Sequence, residues 1–173
     1  MNFRSLSTLG RVALATAFCA VPFVQAANDS FSAELSGANE VPPINSAGTA
    51  TFQMTLGTPI NFTMKFSGLS SNLTLSHIHF GQPGVAGGVM IFLCGGGGQP
   101  ACPVATSGTI TGTITAANVT GPTAQGIAAA DLNSALEVIK DGEGYVNMHT
   151  TIFGGGEIRG QLRRGHGKDK DDD

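Results

Sequence analysis

With 173 residues, 41% of them hydrophobic, the chain has material for one domain around one core. Its 9 Lys and Arg against 12 Asp and Glu give a formal net charge of −3, which excludes the basic surface that nucleic acid requires. The basic cluster Arg163, Arg164, Lys168 and Lys170 is answered in place by Asp169 and Asp171 to Asp173.

The opening stretch, residues 1–26, sets Arg4 and Arg11 ahead of the apolar run Val12 to Val24 and ends on the small-residue site Val24-Gln25-Ala26. It reads as a signal peptide of compact bacterial type, cleaved after Ala26, so the protein is expected to be exported, either periplasmic or secreted. The run falls short of the ~20 apolar residues of a membrane-spanning helix. No second hydrophobic segment follows, and no membrane span is expected after cleavage. Phe18 stands before Cys19 where a lipidation site needs a small residue.

From residue 27 to 163, short runs rich in Thr, Val, Ile and Phe alternate with Gly, Pro and Asn, the punctuation of strands and turns. The candidate strands are Phe31 to Ser36, Thr49 to Leu56, Asn61 to Ser67, Leu75 to Phe80, Val89 to Cys94, Thr109 to Thr115, Gly144 to Thr150 and Glu157 to Arg163. About eight antiparallel strands of this length predict an all-β, Greek-key-like β-sandwich, because a lone sheet cannot bury a core on both faces. One segment, Ala128 to Lys140, spaces Leu132, Ala135, Leu136 and Ile139 as a helix does, with Gly142 suited to end it and Asp131 able to cap a shorter version. It is read as a single crossover helix. Residues 164–173 form a charged tail with no apolar residue to bury and are expected to be disordered.

Cys19 leaves with the signal, and the remaining Cys94 and Cys102 flank the Gly95 to Ala101 segment. In an exported chain such a pair most simply forms one disulfide that pins a loop. The Gly95 to Gly98 run is not a phosphate cradle, since no Gly-Lys-Ser/Thr follows it.

Chemistry is concentrated in three stretches: Leu75 to Phe80, Tyr145 to Thr150 and Glu157 to Leu162. Alternate residues of a strand share a face, so Ile78, Phe80, Val146, Met148, Ile158 and Leu162 sort to one side. The other side collects His77, His79, Tyr145, Asn147, His149, Glu157, Arg159 and Gln161. His77 and His79 can aim both imidazoles at one point, and His149 supplies a third nitrogen if its strand pairs alongside. Three imidazoles with an open position suit copper or zinc, with Asn147 or Glu157 available to orient a ring and Arg159 to attract an anion. The same residues also fit a structural polar cluster, in which the imidazoles bond backbone carbonyls and Glu157 pairs with Arg159. No Gly-x-Ser-x-Gly elbow is present, Ser76 points away from His77, and the carboxylates are too scattered to argue a glycosidase pair.

Leu35 to Pro43, Phe66 to Leu69, His77-Ile78-His79, Tyr145 to Thr150 and Gly155 to Leu162 follow one another as the successive signatures of the CHRD family, the domain named after chordin, which the chain resembles from about Phe31 to Leu162. The resemblance implies an extracytoplasmic β domain of binding or structural character, noncatalytic, with an extracytoplasmic protein, a surface polymer or a metal ion as partner. It carries over no catalytic residues. The His-x-His strand, the downstream His149, the disulfide and the late Gly-x-x-Arg-Gly element are also similar to parts of copper/zinc superoxide dismutases. Only His77, His79, His149 and His166 remain after the signal, too few for that family's two-metal site, so the likeness extends at most to a mononuclear, redox-active centre.

Overall fold

The computed structural model describes residues 29–165 together with Met1; the expected signal peptide and the tail from His166 onward lie outside the described residues. Nine strands form: β1 Ser30–Ser36, β2 Thr49–Thr55, β3 Ile60–Ser67, β4 Leu73–Phe80, β5 Gly88–Cys94, β6 Gly108–Ile114, β7 Gly144–Thr150, β8 Ile158–Gln161 and β9 Arg163–Arg164. Among the described residues one α-helix, α1 Leu132–Lys140, lies between β6 and β7. The all-β expectation holds, and the layers of the sandwich are two parts of one continuous antiparallel sheet rolled nearly into a barrel. Its order is β5-β4-β7-β8-β1-β2-β3-β6, with β9 paired to β1. The segment after β6 reaches back to the far edge, where Val119 bridges Ile91 of β5 and Thr120 N donates to Met90 O.

The predicted strand from Glu157 to Arg163 is interrupted at Leu162, and β9 carries pairing into Arg164, the first residue of the predicted tail. The helix is shorter than its periodicity suggests. Ala130 takes a left-handed backbone at φ 63°, and Asp131 caps the first turn by accepting from Ser134 N at 3.1 Å and Ser134 Oγ at 2.7 Å. Its buried face, Ala135, Val138 and Ile139, packs towards β7.

Strands β1, β2 and β3 alternate between buried and exposed residues, the pattern of a sheet with one solvated face. Their inward residues, Phe31, Phe52, Met54 and Met64, meet Ile78, Met148, Ile158 and Leu162 from the other half, all essentially excluded from water. In β7 the alternation fails: every residue from Gly144 to Thr150 is buried. Loops cover the outer face of β4, β7 and β8, and beneath them lie the polar side chains. No helix among the described residues is long and apolar enough to cross a membrane.

Candidate metal centre

Antiparallel register builds the site. In the β4–β7 pairing His77 stands opposite Asn147 and His79 opposite Tyr145; β8 extends the rows with Arg159 opposite Asn147 and Gln161 opposite Tyr145. His149 lies diagonally from His77, opposite Leu75. The ligating nitrogens of His77, His79 and His149 lie within 4.8 Å of one another, and the three residues are only 3%, 8% and 7% exposed.

Hydrogen bonds define what each ring offers. His79 Nδ1 is 3.0 Å from Gly87 O and His149 Nδ1 is 3.0 Å from Gly154 O. A carbonyl only accepts, so both rings carry the proton on Nδ1 and present Nε2 as a lone pair. His149 Nε2 lies 3.2 Å from His77 Nδ1, which donates to it and leaves His77 Nε2 as a second lone pair. His77 Nε2 and His79 Nε2 are buried with no hydrogen-bond partner among the described residues. Two glycine carbonyls thus perform the orienting that Asn147 or Glu157 was expected to do.

Burial, reinforced by the neighbouring imidazoles, lowers His77 to about 3. Burial also lowers His79, to about 4, against the bond to Gly87, and holds His149 below its usual value. All three rings are neutral at neutral pH, the form that binds metal.

The surroundings are aromatic and cationic. Phe92 packs edge-on against His77 at 4.3 Å. Tyr145 stacks on His79 with centroids 4.8 Å apart, and the Arg159 guanidinium lies 3.4 Å above the other partner in that stack, the Tyr145 ring. Glu40, on the turn after β1, receives Asn147 Nδ2 at 2.7 Å, and burial raises its carboxyl above the ordinary range in spite of that bond. Sequence reasoning left Glu40 unplaced and missed Gly87, Gly154 and Phe92 altogether. The glycines were the only available signal.

Glu157 faces elsewhere. Its carboxylate accepts from Ser46 Oγ at 2.6 Å, Ser70 N and Ser70 Oγ at 2.8 Å, and Thr150 Oγ1 at 2.7 Å. Burial pushes this carboxyl up, but the four bonds outweigh it and hold it below the usual range. It clamps three segments together and forms no ion pair with Arg159. Cys94 and Cys102 are joined in a disulfide.

Comparison with curated proteins and with solved structures yields no match. The CHRD domain model matches residues 31–162, most of the chain and nearly the whole described fold, and the chain therefore belongs to the CHRD domain family.

Proposed function

We propose that this CHRD domain is an extracytoplasmic binding module whose ligand is one copper or zinc ion, held by His77, His79 and His149. The observation that carries the reading is the trio of neutral, buried imidazoles with ligating nitrogens within 4.8 Å, two of which have an Nε2 atom without a hydrogen-bond partner among the described residues. An unsatisfied buried polar atom costs about 1–3 kcal/mol, so a purely structural cluster would be an expensive arrangement. A metal ion offsets that cost.

The donor set is all imidazole, which suits copper and zinc and disfavours magnesium and calcium. Because His149 Nε2 accepts from His77 Nδ1 at 3.2 Å, an ion held by His149 would take that lone pair in exchange for the hydrogen bond. Three protein ligands leave one position for water or a small molecule, which supports redox activity as a second reading if the ion is copper.

Metal analysis of the full chain purified from its native compartment tests this. About one copper or zinc per chain is expected, with loss of that metal in His149→Ala while the circular dichroism spectrum is retained. A wild-type protein that carries no stoichiometric metal and takes up neither ion on dialysis would end the proposal. Turnover of superoxide by the copper-loaded protein would separate catalysis from binding.

A further inference from the structure

Arg159 is 3% exposed, yet no carboxylate among the described residues lies within 4.0 Å of it. The guanidinium's one hydrogen bond among the described residues is from Nη2 to Gln82 O at 3.0 Å, and its flat face rests on Tyr145. Glu40 acts on it through space from beyond salt-bridge distance, and a buried guanidinium without a direct ion pair is rare, because the loss of hydration is only partly compensated. The stack on Tyr145 compensates part of it and fixes the plane of the fork.

That fork forms part of the wall of a cavity of about 300 Å³, which Gln161, Arg163, Ser32, Asn39 and Glu34 also line. Arg159, Gln161 and Arg163 alternate along β8 and β9 and face the same space. Gln161 Nε2 is committed to Gly81 O and Gly142 O, while its buried Oε1 has no partner among the described residues. The cavity therefore combines a preorganised cation with a ring of hydroxyl, amide and carboxylate groups.

We propose that this cavity binds a sugar acid, its carboxylate on Arg159 with Arg163 at the rim, and its hydroxyls on Ser32, Asn39 and Glu34. A planar monoanion matches the guanidinium fork. Glu34 disfavours a phosphate dianion but accepts from a hydroxyl. The volume is at the small end of ligand pockets, the size of one such unit. The site lies across Tyr145 from His79, and the inference is independent of the metal reading.

Calorimetric titration of the full chain with glucuronate, glucose, inorganic phosphate and trigalacturonate tests it. Glucuronate is expected to bind saturably and at least ~10-fold more tightly than glucose, in line with a charge-assisted pair. Arg159→Gln should abolish binding; Arg163→Gln, at an exposed position that folding does not need, should weaken it several-fold and flatten its salt dependence. Tighter binding of the trimer would identify an acidic polysaccharide as the source, and equal binding a free sugar acid. Absence of saturable glucuronate binding, affinity unchanged in Arg163→Gln, or phosphate binding more tightly than glucuronate would overturn the proposal.

Discussion

His77 Nδ1 and His149 Nε2 face each other at 3.2 Å across β4 and β7, so protonating either ring places a charge against a neighbour in a buried site. The folded chain resists those protons, with His77 lowered to about 3, His79 to about 4 and His149 in the same direction. The unfolded chain takes them up near pH 6.5. Stability is thus complete above about pH 7 and falls as pH drops from 6.5 towards 4, by up to ~1.4 kcal/mol per pH unit for each imidazole. Urea unfolding of metal-free protein between pH 7.5 and 4.5 measures this slope, and His79→Gln should reduce it by one proton's worth. A pH-independent midpoint would show that the rings titrate alike in both states.

Glu157→Gln separates a clamp from a support for the imidazoles. The carboxylate accepts four hydrogen bonds, from Ser46, Ser70 and Thr150, and none from an imidazole. Bonds to a charged acceptor contribute about 1.5–3 kcal/mol, and the amide cannot accept all four, so a loss of ~3 kcal/mol is expected. Metal affinity should be unchanged. A drop in affinity with intact folding would mean that the carboxylate acts on the histidines after all.

The parity of His77, His79 and His149 was legible because a strand repeats every two residues, and apolar Ile78, Val146 and Met148 fixed which side was the core. The cover over that face was not. It comes from the turns around Glu40, Gly87 and Gly154, whose positions depend on long-range packing with no periodic signature. Glu157 shows where parity itself stops: it sits just before β8, its N–H donates to Met148 O, and its side chain follows the loop rather than the strand. Likewise, one rolled sheet and two stacked sheets bury the same alternate residues, so the pattern does not distinguish them.

Two glycines two positions apart should respond very differently. At Gly156, where φ is 127°, an added Cβ would meet Asn147 Oδ1 at 2.7 Å and Glu40 Oε1 at 2.9 Å. At Gly154 nothing lies within 4 Å, and its carbonyl still serves His149. Gly156→Ala should cost about 2–4 kcal/mol through backbone strain and the displaced Glu40–Asn147 bond, while Gly154→Ala stays within ~0.5 kcal/mol. Thermal melts of both variants decide it. Equal destabilisation would mean that the loop as a whole, and not the Glu40–Asn147 contact, sets the response.

The disulfide should matter to His77 as well as to stability. Cys94 and Cys102 close a short loop, eight apart in sequence, whose glycines Gly96 and Gly97 lie directly on the Phe92 ring, and Phe92 packs against His77. Loop closure of this length contributes about 2–3 kcal/mol. The double replacement Cys94→Ser with Cys102→Ser is expected to lose that stability. It should also weaken metal binding, because the freed glycine loop no longer presses Phe92 onto the imidazole. Unfolding midpoints and zinc titration, each with and without reductant on the wild type, read the two effects separately. If reduced wild type loses stability but keeps its zinc affinity, the loop is a staple only, and Phe92 holds His77 unaided.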